Sequence, residues 1–272
     1  MYIRHNIILC EGGRELGKII SIFNQKGGVG KTTTNINLAA YLAEMGKKIL
    51  TVDIDPQGNT TSGLGIDKNE LEYSMYDVIM GLDPKKAICN TKVENLDILP
   101  SKVELAGAEI ELTNKVQREL MVKTALDQIR DNYDYIFIDC PPSLGLLTIN
   151  CLTASDSVLI PIQCEFYALE GVGQLMNTIQ LVKKSLNKNL EVQGVVMSMF
   201  DGRTNLSIEV VEEVKKYFKS KVYVNIIPRN VRLAEAPSHG LPIMMYDKNS
   251  KGAEAYKELA REFIEYDEEG VI

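Results

Sequence analysis

A glycine-rich stretch near the start of the chain has the residue types of a phosphate-binding loop. It reads Lys26-Gly27-Gly28-Val29-Gly30-Lys31-Thr32 and lies between the apolar run 19–23 and a segment of helical period that begins at Thr33. Glycines let several backbone N–H groups turn toward phosphate oxygens, at a helix N-terminus whose dipole favours anions. Lys31 would supply positive charge for the β- and γ-phosphates, and the Thr32 hydroxyl could ligate Mg²⁺. The sequence therefore predicts nucleotide binding, with residues 26–33 around the phosphates.

One position departs from the usual pattern of such loops. The pattern has a glycine at position 25, whereas this chain has Gln25 followed by a second lysine, Lys26. A lone glycine-rich loop is often a structural turn, but the full pattern between a strand and a helix disfavours that alternative. We interpret the stretch as the deviant form of the P-loop (Walker A) motif.

Three aspartates follow apolar runs of strand length. Asp139 ends the run 135–138, where a carboxylate can reach the magnesium shell beside bound phosphates. Asp53 and Asp55 end a second run and are two residues apart, so their side chains point the same way from an extended strand and both could face the nucleotide. The structural alternative for Asp139 is capping of the next turn. A merely turn-capping role for Asp53 is equally open.

Apolar strand-like runs alternate along the chain with segments of helical period. The Val/Ile/Leu runs are continuous rather than alternating, which indicates strands buried on both faces. The predicted fold class is α/β: a mostly parallel twisted sheet flanked by helices, of the P-loop NTPase type, with ligands at the carboxyl ends of the strands. The predicted strands are 19–23, 49–52, 96–99, 135–138, 157–160, 192–197 and 222–227, and the predicted helices are 33–45, 115–130, 145–152, 168–186, 206–218 and 253–265.

Length and composition favour one domain without a membrane span. The chain has 272 residues, is 45% hydrophobic and shows no linker or low-complexity tract. No apolar run approaches the roughly 18 to 20 residues that a membrane span needs. The five cysteines are scattered without a C-x-x-C pair, so we expect neither a disulfide framework nor a zinc site. We expect a cytoplasmic protein.

The first residues fit this scheme poorly. We predict that residues 1–17 form a non-core N-terminal extension and that residues 18–272 form a single P-loop domain. The run Glu11-Gly12-Gly13-Arg14 can be encoded by a purine-rich ribosome-binding site, and Leu16 by a TTG start codon. We therefore hypothesise that residues 1–15 are not translated in the cell.

Four segments together resemble a known family. They are 24–34, 52–59, 137–143 and 227–233, and they look like the chromosomal ParA (Soj) partition ATPases of the ParA/MinD superfamily. The resemblance runs from about residue 18 to about residue 263. It implies a weak Mg²⁺-dependent ATPase that uses ATP.

The resemblance also assigns roles to individual residues. It implies that Lys26 reaches across an ATP-sandwich homodimer to the partner's phosphates, although spacing alone does not distinguish this from a monomeric role. It implies that Asp55 orients the attacking water, and that Pro228 and Asn230 contact adenine. Lys26, Lys31 and Asp55 are thus the expected catalytic residues, and Thr32 and Asp139 the expected metal ligands.

A local basic region stands out against an acidic chain. Residues 203–232 contain seven Lys or Arg and three Glu, a balance of +4 in a chain of net charge −7. Together with the resemblance, this predicts a face for non-specific double-stranded DNA and a nucleoid-associated location. The simpler alternative is a solvated helix in which Glu212 pairs with Lys216. The candidate DNA contacts are Arg203, Lys216, Lys219 and Lys221.

The resemblance also implies a ParB-type partner that stimulates hydrolysis in chromosome or plasmid partition.

Two other functions are alternatives to partition. A MinD-like membrane-cycling ATPase would end in a basic amphipathic helix, whereas residues 262–269 are strongly acidic, so no membrane partner is expected. A biosynthetic ligase or amidotransferase that phosphorylates a small carboxylate with the same loop is the second alternative.

Overall fold

The strands form one twisted sheet at the centre of the molecule. The computed structural model describes residues 16–165 and 168–269. Its strands are β1 (Lys18–Ile22), β2 (Ile49–Asp53), β3 (Cys89–Asn90), β4 (Leu96–Leu99), β5 (Tyr135–Asp139), β6 (Ser157–Gln163) and β7 (Glu191–Ser198). Among the described residues they are ordered β3-β4-β2-β5-β1-β6-β7, with only β3 antiparallel to its neighbour. The predicted mostly parallel α/β sheet is confirmed.

Helices cover both faces of the sheet. In chain order they are α1 (Lys31–Glu44), α2 (Asn59–Gly63), α3 (Met75–Met80), α4 (Leu105–Glu111), α5 (Met121–Leu126), α6 (Leu146–Ala154), α7 (Ala168–Ser185), α8 (Asn205–Phe218), α9 (Val231–Glu235), α10 (Ile243–Tyr246) and α11 (Lys251–Glu269). The apolar side chains of α3 to α8 pack on one face of the sheet. Those of α1, α9, α10 and α11 pack on the other. Burial on both faces explains why the central strands are continuous apolar runs.

The parallel strands bring their carboxyl ends to one edge of the sheet. In the sheet register Ile22 of β1 and Asp53 of β2 both lie opposite Asp139 of β5. The glycine-rich loop leaves β1 at the same edge and leads into α1. The topology therefore assembles the loop and the strand-end aspartates from separate parts of the chain, as expected for a parallel α/β sheet.

The prediction of a strand over 222–227 is wrong. Only isolated bridges occur there, Val195 with Val222 and Phe200 with Pro228. The Glu262 carboxylate of α11 instead accepts hydrogen bonds from the backbone N–H groups of Val224 and Asn225. Because those N–H groups donate to α11, they are not available to form a continuous β-ladder with β7.

The predicted helix over 115–130 is also wrong in its extent. Gln117 has a φ of 56°, a left-handed conformation that interrupts a right-handed helix. Asn150 of α6 accepts from the backbone N–H of Val122 and donates to the carbonyl of Arg118. The segment therefore contains short helical turns and α5 rather than one long helix. Elsewhere in the chain, periodicity did not predict the short helices α2 to α4, α9 and α10.

The start of the described chain is fixed to the core. The carbonyl of Gly17 accepts from Arg130 Nε at 2.6 Å. A Cβ at position 17 would lie 2.3 Å from the carbonyl oxygen of Tyr133, so the close approach requires glycine. The hypothesis that residues 1–15 are not translated falls outside the described residues. Across 16–165 and 168–269, no helix is long and apolar enough to cross a membrane.

Replacement of Glu262 should destabilise the protein. Glu262 is buried and satisfies two backbone donors and the Asn225 side chain. We expect Glu262→Ala to lower the free energy of unfolding by about 2 kcal/mol, because those donors lose their acceptor. Urea titration measures the change. Glu258→Ala, which removes an exposed partner of Arg261 on the same helix, is the matched control, and an equal loss in both variants would contradict the assignment.

Candidate active site

The glycine-rich loop has the backbone conformation of a phosphate cradle. Gly28 and Gly30 have φ values of 74° and 90°, in the left-handed region that L side chains rarely adopt. A Cβ at Gly27 or Gly28 would meet nothing within 4 Å, so the loop opens outward there. Val29 is buried beneath the loop. The loop thus exposes backbone rather than side chains at the N-terminus of the 14-residue α1.

Three neighbouring elements hold this loop in place. Asn24 donates to the carbonyl of Pro161 on β6 at 2.8 Å, and Ser198 at the end of β7 donates to the carbonyl of Val29 at 2.8 Å. Gln25, which replaces the usual glycine, donates through Nε2 to Thr178 Oγ1 on α7 at 2.8 Å. The departure from the common loop pattern therefore has a structural use, since it fastens the loop to a helix on one face of the sheet.

The two loop lysines lie in opposite environments. Lys31 is only 8% exposed and donates to the carbonyl of Lys26 at 3.3 Å. Burial lowers the pKa of Lys31, and the nearby Asp139 carboxylate acts in the opposite direction. Lys26 is exposed, and its backbone N–H is bonded to Asn24 Oδ1. Lys31 therefore points into the site of its own chain, while Lys26 lies on the outer surface of the loop.

Asp139 meets the conditions for a magnesium-binding carboxylate. Its Oδ2 accepts from Thr32 Oγ1 at 2.8 Å, while its buried Oδ1 has no hydrogen-bond partner among the described residues. The Thr32 hydroxyl donates its proton to Asp139, so the lone pairs of Thr32 Oγ1 are available to a cation. No cluster of three or more His, Cys, Asp or Glu that could hold a metal occurs in the described ranges. One carboxylate and one hydroxyl beside a phosphate cradle fit Mg²⁺, which takes few protein ligands and the substrate's phosphates.

Asp53 lies beside Asp139 but differs from it in its contacts. Its Oδ2 accepts from the backbone N–H and the hydroxyl of Thr61, and its Oδ1 accepts from the backbone N–H of Asp55. Burial raises the pKa of Asp53, and the Asp139 charge raises it further. Burial likewise raises the pKa of Asp139, against the hydrogen bonds from Thr60 and Thr32. This geometry favours the turn-capping alternative for Asp53.

Asp55 lies beyond the end of the strand that carries Asp53, in the turn that follows. β2 ends at Asp53, so the alternation rule for extended strands stops before residue 55. Asp55 is half-buried, and its Oδ1 accepts from the backbone N–H of Gln57. Its charge raises the pKa of Lys31 and of Asp139, so Asp55 lies near the same site.

The remaining predicted nucleotide residues lie around the same edge of the sheet. Thr33 is half-buried in the first turn of α1. Pro228 pairs with Phe200, two residues beyond the β7 serine that holds the loop. Asn230 is half-buried, and its Oδ1 caps α9 by accepting from the backbone N–H of Arg232 at 2.8 Å. Because Oδ1 is used in the cap, the amide Nδ2 is the group of Asn230 that could donate a hydrogen bond to a ligand.

The structure does not bring the four candidate DNA residues together. Arg203 precedes α8 at the carboxyl edge of the sheet, and its side chain is 87% exposed beside Asp201. Lys216 lies near the other end of α8, about 20 Å away for 14 residues of helix, and pairs with Glu213 rather than with Glu212. Lys219 and Lys221 follow, and Lys221 donates to the carbonyl of Val192. They form two separate basic regions.

Sequence reasoning missed the polar residues that support the site. Ser198 ends a buried strand, and Thr60 and Thr61 lie in the first turn of α2, after the Asp55 turn. Asn35 lies on the buried face of α1, where its Nδ2 donates to Thr51 and Thr60. A polar residue inside an apolar segment was the available signal for Asn35. Nothing in the sequence showed which partner each residue would meet.

Comparison with known proteins places these features in a family. A family model described as an AAA domain matches residues 17–192. The chain is 62% identical to the sporulation initiation inhibitor protein Soj of Bacillus subtilis, covering 91% of this chain and 98% of that protein. It is 52% identical to the chromosome partitioning protein ParA of Myxococcus xanthus, over 94% of this chain and 91% of that one.

A solved structure shows the same fold with ligands bound. Cobyrinic acid a,c-diamide synthase from Mycobacterium smegmatis, crystallised with ADP and magnesium, superimposes with a TM-score of 0.83 at 37% identity. The alignment covers 94% of this chain and 97% of that one. The loop with two lysines, the strand-end aspartates and the high identity to Soj agree with the predicted resemblance. The chain belongs to the ParA/MinD family of P-loop ATPases, with Soj and the chromosomal ParA proteins among its relatives.

Proposed function

We propose that this chain is a Mg²⁺-dependent ATPase that dimerises with ATP, binds DNA without sequence preference and acts in chromosome or plasmid partition. The observation that carries the proposal is the convergence of Lys31, Thr32 and the partly unsatisfied Asp139 at the mouth of an outward-opening glycine loop. Relatives named for partition, at 62% and 52% identity, support the cellular role.

Each site residue has a distinct part in the proposed reaction. Loop N–H groups from Gly27 to Thr33 bind the phosphates, and Lys31 neutralises charge that develops on them. Mg²⁺ held by Thr32 and Asp139 would supply further neutralisation of the phosphate oxygens. Asp55 orients the attacking water, and Pro228 with the Asn230 amide contacts adenine. Asp53 fixes the turn that carries Asp55, through its bonds to Thr61 and Asp55.

Lys26 gives the proposed reaction its dependence on a second subunit. It is exposed on the outer side of the loop, whereas Lys31 is buried in the site of its own chain. An exposed ammonium there suits the phosphates of a facing copy, where it would act as a second cation in the transition state. Intrinsic turnover by the monomer is then weak, and hydrolysis removes the bridge between the two subunits.

The output of the switch is DNA binding, reset by a ParB-type partner that stimulates hydrolysis. Lysines and arginines between residues 203 and 232 carry the DNA contacts, and the protein is nucleoid-associated in the cytoplasm. Residues 18–272 form the ATPase domain, and Gly17 packs against its edge at Arg130 and Tyr133. Of the two candidates with ion pairs, Arg203 and Lys216, Arg203 has the more exposed side chain, so its region is the first to test.

A ligase or amidotransferase is the second candidate. The observation that favours it is the 37% identity and TM-score of 0.83 to the Mycobacterium smegmatis synthase. That class of enzyme needs a second, small substrate on which ATP turnover depends. ATP hydrolysis that rises only when a small carboxylate and an ammonia donor are added would favour it over partition.

Substitution of Lys31 should impair nucleotide binding, whereas substitution of Lys26 should impair dimerisation. We expect Lys31→Ala to weaken ATP binding by at least about tenfold, since a charged contact to phosphate is lost. Lys26→Ala should retain binding and lose ATP-dependent dimerisation. Fluorescent-nucleotide titration and light scattering measure the two properties. Exposed Lys188→Ala is the control, and a Lys26→Ala protein that still dimerises with ATP would refute the trans role.

Asp55 should affect hydrolysis and leave binding intact. We expect Asp55→Asn to lower kcat by about 100-fold, because the attacking water loses its orienting carboxylate. ATP affinity should stay within twofold of the parent, in roughly the range of an uninvolved surface change. Phosphate release and nucleotide titration are the measurements. Asp131→Asn, at an exposed position, is the control, and unchanged kcat in Asp55→Asn would exclude the role.

DNA binding should require ATP and fall with salt. Anisotropy of a labelled duplex of arbitrary sequence is measured with Mg-ATP, Mg-ADP or no nucleotide at two salt concentrations. We expect binding with ATP only, with a logarithmic salt slope of about −0.9 for each phosphate neutralised. Arg203→Ala and the triple Lys216/Lys219/Lys221→Ala variant test the two basic regions, against a Lys85/Lys86→Ala control. Absence of binding in every state, with dimerisation intact, would remove the partition role.

A further inference from the structure

We propose that Thr60 is a positioning residue, which orients the Asp139 carboxylate for Mg²⁺. The inference rests on the proposed ATPase function and adds a residue to its site. Thr60 is fully buried in the first turn of α2, and its Oγ1 donates to Asp139 Oδ2 at 2.7 Å. It is separated from Asp139 by 79 positions in the chain, so the contact exists only in the folded protein.

The hydrogen bonds on Asp139 are unevenly distributed. Thr32 and Thr60 both donate to Oδ2, at 2.8 Å and 2.7 Å. Oδ1 is buried and has no partner among the described residues. Two donors on one oxygen hold the carboxylate in one rotation and leave the other oxygen as the free ligand atom. A buried carboxylate oxygen without a donor is costly unless something positively charged meets it.

Donor and acceptor counts fix the direction of the hydrogen bonds behind Asp139. An ionised carboxylate only accepts, so Thr60 must give its single proton to Asp139. Its contact with Asn35 Nδ2, at 3.2 Å, must then be one in which Thr60 accepts. Asn35 gives its other amide proton to Thr51 at 2.6 Å. The result is a directed chain from α1 through Thr60 to the candidate metal ligand.

Thr60 also acts where two negative charges are neighbours. Asp53 and Asp139 are register partners on adjacent strands, and the charge of Asp139 raises the pKa of Asp53. Two ionised carboxylates this close therefore require hydrogen-bond donors. Consecutive threonines divide the task, since Thr61 donates to Asp53 and Thr60 to Asp139. Thr32 is a candidate metal ligand itself. Thr60 is therefore the donor to Asp139 that is not itself a candidate metal ligand.

The position of Thr60 ties the metal carboxylate to the segment that carries Asp55. The Asp55 carbonyl accepts from the backbone N–H of Gly58, and α2 begins at the next residue, Asn59. Thr60 follows directly. A shift of this turn would therefore move both Asp55 and the donor on Asp139, which links the water-orienting group to the metal site through one short helix.

The test measures how much Mg²⁺ the protein needs in order to bind a fluorescent ATP analogue. Thr60→Val keeps the shape of the side chain and removes the hydroxyl, and Thr60→Ser keeps the hydroxyl. Thr153→Val removes a buried hydroxyl that donates to the carbonyl of Ile149 within α6, and serves as the control. Thermal melting without nucleotide, and analogue binding in EDTA, are recorded for each protein.

We expect Thr60→Val to raise the half-saturating Mg²⁺ concentration about tenfold, as for other residues that orient a metal ligand. Thr60→Ser and Thr153→Val should stay within twofold of the parent, and binding in EDTA should be the same for all four. An unchanged Mg²⁺ requirement in Thr60→Val would overturn the inference, as would an equal shift in Thr153→Val. If the parent itself showed no Mg²⁺-dependent binding, the proposed function would fail together with the inference.

Discussion

The site depends on the burial of two neighbouring carboxylates at the ends of adjacent strands. Asp53 and Asp139 face each other in register, and almost no water reaches either. Like charges in such a place are tolerated only if donors and cations meet them. Thr60, Thr61 and Thr32 supply the donors, and Lys31 supplies a positive charge that lowers the pKa of Asp139. The α2 turn, the start of α1 and the orientation of the glycine loop all serve this requirement.

Anchoring of the loop turns a flexible sequence into a fixed cradle. Bonds from Asn24 and Gln25 and to the carbonyl of Val29 tie it to β6, α7 and β7. The loop glycines remain free to shape the backbone, because none of these anchors uses them. The same anchors separate the lysines, since Lys31 enters the buried site while Lys26 stays on the outer surface. The two loop lysines therefore lie in different environments, one buried in the site and one exposed to solvent.

Long apolar strands and strongly periodic helices could be predicted from sequence, whereas short or interrupted elements could not. The buried runs of β1, β2 and β5 carry their own signal, because both faces are covered. Residues 222–227 have the same composition, but Glu262 from a distant helix takes the backbone donors that a strand would need. The 115–130 helix fails at Gln117, which has a left-handed backbone conformation, and Asn150 of α6 bonds to the backbone of the residues that follow it. Both errors come from contacts that are remote in sequence.

The sequence by itself determined the family, the phosphate loop and the identity of the candidate charges. These follow from local patterns, since a glycine's conformational freedom and a lysine's charge do not depend on the rest of the chain. Only the tertiary structure decided what each group does. In the folded protein Asp53 accepts hydrogen bonds from the turn that follows it, and Thr60 donates to Asp139. Asp139 Oδ1 has no partner among the described residues, and the candidate basic residues lie at two ends of α8. The physical reason is that burial and hydrogen-bond partnership are properties of neighbours in space, which a linear pattern does not specify.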